Sequence, residues 1–217
     1  MALEVKICGL TNPDQAVACA EAGARAVGLV FYPKSPRFVD RALAREICRA
    51  VGGRAKRVGV FVNEPVEKVL SLARFCGLDL VQLHGAEPPE EVAAIEAAGV
   101  KVVKALFANR EPGFAEAARY GASGFLVECA GGALPGGNAL AWDWSTARGA
   151  GAEKPLVLAG GLCVENLPKA VEQARPRAVD VSSGVEASPG IKDLTKVREF
   201  LAAAALCRAP GGEGIFS

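Results

Sequence analysis

The sequence predicts an α/β protein, a single-domain (β/α)8 barrel of the TIM class. Three observations carry that expectation. Short apolar stretches rich in Val, Ile and Leu recur eight times along the chain. Uninterrupted apolar strands of this kind suit a parallel sheet covered on both faces. Helical patterns separate most of them, and several of these close on glycine before the next strand, as in Ala22-Gly23, Cys76-Gly77, Ala98-Gly99 and Tyr120-Gly121. A doubly wound open sheet is the alternative, but eight evenly spaced units favour closure.

Strands are expected at residues 3–7, 26–31, 56–61, 80–83, 101–106, 124–127, 155–159 and 178–181. Helices are expected at 13–22, 41–51, 65–76, 89–98, 111–119, 164–173 and 194–205. The first, third and fourth open on a cap or proline: Asn12-Pro13, Asn63-Glu64-Pro65 and Glu87-Pro88-Pro89. The sixth connection, 130–140, is mostly Gly, Pro and Ala, with room for a short helix near Trp144. No linker interrupts the series. The barrel should occupy 1–207, and the tail 208–217, with its Pro-Gly-Gly, should be flexible.

Composition narrows the class. With 217 residues, 51% of them hydrophobic, the chain can bury a sizeable core. Lys and Arg total 25 against 24 Asp and Glu, so a net charge of +1 gives no electrostatic reason to expect nucleic acid or an anionic membrane. No apolar run approaches the ~20 residues that span a bilayer, and no secretion signal is evident. Seven cysteines occur without a Cys-x-x-Cys pair, and there is one histidine. That pattern argues against a zinc site and for reduced thiols in the cytoplasm.

Barrel chemistry belongs to the carboxyl ends of the strands and the loops that follow. Strand 1 ends on Cys8-Gly9, and there a structural and a reactive thiol are both open readings. Strand 2 runs into Tyr32-Pro33-Lys34-Ser35-Pro36-Arg37, a proline-stiffened loop with two cations. Strand 4 ends at Gln82-Leu83-His84-Gly85 and strand 6 at Val127-Glu128. Strand 7 ends at Gly160-Gly161, and strand 8 at Asp180-Val181-Ser182-Ser183-Gly184-Val185-Glu186. Gly160-Gly161 and Ser183-Gly184 expose backbone N–H groups at the two consecutive strand ends where barrels recurrently cradle phosphate.

Read together, these motifs resemble the phosphoribosylanthranilate isomerase family, in register from Val5 to about Phe200. The carriers are Lys6-Ile7-Cys8-Gly9, Phe31-Tyr32-Pro33-Lys34-Ser35-Pro36-Arg37, Gln82-Leu83-His84-Gly85, Ala159-Gly160-Gly161-Leu162 with Glu165-Asn166, and the strand 8 motif. The first, second and last are specific to the family. The resemblance implies an Amadori rearrangement of N-(5-phosphoribosyl)anthranilate to 1-(2-carboxyphenylamino)-1-deoxyribulose 5-phosphate, an aldose–ketose isomerisation in tryptophan biosynthesis. It implies no cofactor and no metal. By resemblance Cys8 is the general base. Period-2 alternation puts Lys6 on the same face of strand 1, where it either lowers the thiol pKa or fills the barrel interior beside Asp180. Arg37 grips the anthranilate carboxylate, Asp180 lies near the anthranilate end, and His84 lines the pocket. The partner is the small-molecule phosphosugar–anthranilate substrate, bound by a monomer or a homodimer.

Two positions depart from the family pattern. The aspartate that serves as general acid at the end of strand 6 is here Glu128, one methylene longer. The Gly-Gly-Thr-Gly that usually follows is Gly136-Gly137-Asn138-Ala139, ahead of Trp142-Asp143-Trp144. Glu128 is expected to be the general acid despite its length. The alternative is a non-catalytic or weakly active phosphate-ligand barrel. An indole-3-glycerol-phosphate synthase, the sister barrel with lysine acids, is disfavoured by Cys8 and Arg37.

Overall fold

A computed structural model describes residues 1–129, 142–151 and 153–217. Eight parallel strands close into a barrel in sequence order. They are β1 (Glu4–Cys8), β2 (Ala26–Val30), β3 (Lys56–Phe61), β4 (Leu80–Leu83), β5 (Lys101–Phe107), β6 (Gly124–Glu128), β7 (Leu156–Leu158) and β8 (Ala178–Val181). The outer helices are α1 (Pro13–Glu21), α2 (Arg41–Val51), α3 (Val66–Cys76), α4 (Pro89–Ala97), α5 (Leu167–Ala174) and α6 (Leu194–Leu206). Their starts follow local chemistry. Asn12 Oδ1 accepts from the Gln15 amide at 3.0 Å, and Asp40 Oδ1 from the Leu43 amide at 2.8 Å, each satisfying a donor with no partner inside its helix. The segment 130–140, including Gly136-Gly137-Asn138-Ala139, lies outside the described residues. Among those described, no helix is long and apolar enough to cross a membrane.

Three expectations need correction. The helix expected at 111–119 is a 3-10 helix, Phe114–Arg119. Pro112 and Gly113 interrupt its first turn, and the Glu116 carboxylate takes up the Gly113 amide instead. Beyond β8, a 3-10 turn (Ser183–Val185) is followed by a hairpin, β9 (Glu186–Ser188) against β10 (Ile191–Lys192), where the sequence placed no strand. Gly190, at φ +84°, makes its corner.

The third correction is the tail. Side chains at alternate strand positions point to opposite faces. Val5 and Ile7 of β1 pack outward among the helices, whereas Glu4, Lys6 and Cys8 project along the barrel axis. The axis is otherwise filled by Ala26, Val58, Leu80, Val103, Leu126, Val157 and Ala178, and Ile215 and Phe216 of the tail join that cluster. The expected flexible segment is therefore docked under the barrel. Glu4 accepts from the Ile215 amide at 2.9 Å and the Phe216 amide at 3.1 Å, and Arg177 donates to the carbonyls of Pro210 and Gly212. Burial of the two large apolar side chains that end the glycine-rich run, together with its hydrogen bonds to Glu4 and Arg177, offsets the cost of ordering it.

Candidate active site

A pocket opens at the carboxyl end of the strands. Cys8, Arg37, Gln82, His84, Glu128, Gly160, Gly161, Asp180, Ser182 and Ser183 line it, with Val30, Tyr32, Val60 and Val62 as its apolar wall. These side chains come from seven of the eight strand ends, assembled by barrel closure.

Cys8 closes β1 and is buried. It pairs in register with Gly28 of β2, where a Cβ would stand 2.7 Å from the thiol sulfur and 3.0 Å from Lys6 Cε. The missing side chain makes the space in which thiol and ammonium meet. Lys6 and Asp180 are also register partners, joined by a 2.8 Å salt bridge, and Asp180 Oδ1 is buried with no hydrogen-bond partner among the described residues. Burial pushes the Cys8 thiol above its ordinary pKa and Asp180 adds to this, outweighing Lys6 and Lys192. The nearby cations do lower it, but burial outweighs them: the Lys6 charge is largely committed to Asp180, the other place the sequence left open for it, and Asp180 keeps Lys6 raised despite burial.

Glu128 ends β6, and it is buried at 4% exposure. Gln82 Nε2 donates to His84 Nδ1 at 2.9 Å, leaving His84 Nε2 to donate to Glu128 Oε1 at 3.0 Å. Gly160 lets the end of β7 pass close to Glu128 and Trp142, since a Cβ there would lie 3.3 Å from Glu128 Cβ and 2.8 Å from the Trp142 indole nitrogen. His84 is held from below. Lys104, fully buried, donates to Glu87 at 2.9 Å and to the Gly85 carbonyl at 2.8 Å, while Glu87 accepts from the amides of Asn63 and Gly85. That network ties the loops after β3 and β4 to the middle of β5.

Arg37 is buried, not solvated. Its stem crosses Gly9, where φ is +79° and a Cβ would overlap Arg37 Cδ. Nε and Nη2 donate to Glu186 at 2.8 and 2.7 Å. Gly160 and Gly161, at φ +86° and +67°, turn the chain at the end of β7. Asn166 shapes this loop, donating to the Gly161 carbonyl at 2.8 Å and accepting from the Cys163 amide at 2.9 Å. Gly184 stands behind the pocket wall: a Cβ there would overlap the Leu162 carbonyl, so its role is the close approach of the loops after β7 and β8.

The family model for N-(5'-phosphoribosyl)anthranilate (PRA) isomerase matches residues 5–203. The chain belongs to this family. It is 56% identical over 201 residues to the N-(5'-phosphoribosyl)anthranilate isomerase of Desulfatibacillum aliphaticivorans, covering 93% of this chain and 92% of that one. The phosphoribosylanthranilate isomerase of Thermotoga maritima superposes with a TM-score of 0.84 at 42% identity, over 93% of this chain and 98% of that one. A phosphoribosylanthranilate isomerase in complex with reduced 1-(o-carboxyphenylamino)-1-deoxyribulose 5-phosphate superposes with a TM-score of 0.81 at 40% identity, over 93% and 98%.

Of the residues that the isomerase resemblance singled out, Cys8, Arg37, His84, Glu128, Gly160, Gly161, Asp180 and Ser183 meet at one pocket, and Gly184 backs it. Gly28, Gln82 and Glu186 were not assigned a part by the sequence. The strand-pair register could have found Gly28, which falls beside Cys8 once β1 and β2 are aligned.

Proposed function

We propose that this pocket carries out the Amadori rearrangement of N-(5-phosphoribosyl)anthranilate. The observation that carries the reading is a thiol and a carboxyl facing one cavity, with a guanidinium on one rim and glycine loops on another. Glu128 gives a proton to the furanose ring oxygen, and the ring opens to a Schiff base. His84 holds Glu128 Oε1, which leaves Oε2 for the substrate. Cys8, as thiolate, takes the proton from the sugar carbon next to the imine, and the resulting enolamine tautomerises to the ketone. Each is a positioned proton transfer, a term of ~100-fold to ~10,000-fold in rate. Arg37 holds the anthranilate carboxylate, since a guanidinium matches a planar carboxylate with two parallel hydrogen bonds. Asp180, which lines the pocket and whose Oδ1 has no partner among the described residues, serves the anthranilate end. The loops carrying Gly160, Gly161 and Ser183 hold the phosphate, with Gly184 setting their separation.

The enzyme acts in the cytoplasm as a monomer or homodimer. A solved Thermotoga maritima relative, 38% identical, consists of monomers generated from a dimeric phosphoribosylanthranilate isomerase, and both states are therefore open to this fold. The deciding experiment supplies freshly generated phosphoribosylanthranilate to the purified protein and follows anthranilate-adduct fluorescence. Turnover is expected. Binding without turnover would make the chain a phosphate-ligand binder.

A further inference from the structure

Arg37 lines the pocket, and Glu186 backs it from the hairpin that follows β8. The Glu186 carboxylate accepts four hydrogen bonds: from Arg37 Nε at 2.8 Å, Arg37 Nη2 at 2.7 Å, Lys192 Nζ at 2.7 Å and the Gly190 amide at 3.2 Å. Arg37, Glu186 and Lys192 are all buried, at 8%, 8% and 2% exposure. Lys192 also donates to the Ser182 carbonyl at 3.2 Å, and the Ser182 hydroxyl donates to the Cys8 carbonyl at 3.0 Å. The hairpin is pinned to the loop after β1 by Thr11, whose hydroxyl donates to the Gly190 carbonyl at 2.7 Å.

A guanidinium carries five N–H donors on two usable edges. Glu186 occupies one edge, that of Nε and Nη2. The Nη1–Nη2 edge keeps two parallel N–H groups, the fork that a carboxylate accepts. Lys192 balances the charge of Glu186, so the three groups together remain at +1 and an anion is still attracted. A rigid fork loses less freedom on binding than a free one.

We infer that Glu186 is a positioning residue for carboxylate recognition, holding Arg37 with one edge satisfied and the other presented to the anthranilate carboxylate. The inference rests on the reading of Arg37 as the carboxylate clamp. It predicts that Glu186 acts on affinity through Arg37 alone, and only toward ligands bearing the carboxylate.

The test uses two probes: reduced 1-(o-carboxyphenylamino)-1-deoxyribulose 5-phosphate, and the same compound with a phenyl ring in place of the carboxyphenyl. In Glu186→Gln, Kd for the first should rise about tenfold, as expected for disturbing charge-assisted hydrogen bonds, with Kd for the second unchanged. KM should rise more than kcat falls, and Glu186→Asp should recover part of the loss. In Arg37→Lys the same selective loss should appear, and adding Glu186→Gln to it should cost nothing further. Should Glu186→Gln fail to fold, Glu186→Asp is read against the same two probes. Unchanged or tighter binding of the carboxylated probe in the Glu186 variants, with Arg37→Lys still selective, overturns the inference, because Glu186 would then be a bystander or a competitor for Arg37. Loss of selectivity in neither series overturns the clamp reading itself.

Discussion

Glu128 Oε1 accepts the Nε2–H of His84 across 3.0 Å, both side chains buried, and this bond fixes where the longer acid ends. With Gln82 donating to the far nitrogen, the imidazole has one orientation and one donor to offer. The extra methylene relative to aspartate is thus spent reaching a fixed partner.

Glu128→Gln is expected to lower kcat ~100-fold or more, as for loss of a positioned acid. Glu128→Asp keeps the carboxyl and restores the acid that the family carries at this position, so it should retain much of the parent's activity or exceed it. Steady-state kinetics on the two variants decides it. A fully active Gln variant would mean that another group delivers the proton.

Cys8 gives a prediction with a sign. Burial raises its pKa, and the base must be the thiolate, so kcat/KM should climb with pH through the ordinary thiol range and beyond it. Cys8→Ser should keep the fold and lose ~100-fold or more in activity across that range. A rate that stays flat between about pH 7 and pH 9 would remove the thiol from the rate equation.

Gly28→Ala places a methyl group 2.7 Å from the Cys8 sulfur and 3.1 Å from the Cys8 Cα. One of the two strands must give. A displacement of ~1 Å at the base costs on the order of 100-fold in rate, so kcat should fall well beyond any change in thermal midpoint. Parallel activity and melting measurements separate the two, and equal retention of both would contradict the packing argument.

Phe216→Ala empties the floor of the barrel. The expected loss is about 3 kcal/mol of stability, the usual cost of truncating a buried phenylalanine. Turnover at room temperature should barely change, because the pocket lies at the other end. Denaturant unfolding checks the first claim and kinetics the second. An unchanged midpoint would show that the tail contributes no packing.

The eight-unit alternation was legible because each strand and helix carries its own pattern of burial, capping and glycine closure. The strand ends were legible too, since barrel topology places them together. What remained hidden was pairing at long range. Arg37 and Glu186 are 149 residues apart, and nothing near either names the other. His84 and Glu128 are joined only when β4 and β6 come to the same mouth. Cys8 was found by position, but the direction of its pKa comes from its burial and then from Asp180 beside it, neither of which is visible before the barrel closes. The tail misled because Pro-Gly-Gly reads as frayed, while Glu4, at the other end of the sequence, holds the amides that follow it.

The docked tail has a consequence for how the molecule wears. Ile215 and Phe216 are the stopper in the lower end of the barrel, and the Glu4 carboxylate is its latch. When the latch opens, water reaches the axis from the side away from the chemistry. Hydrogen exchange at the Ile215 and Phe216 amides is therefore a gauge of interior wetting that substrate does not touch. On warming, this gauge should move while the mouth still works, so leakage precedes the loss of turnover.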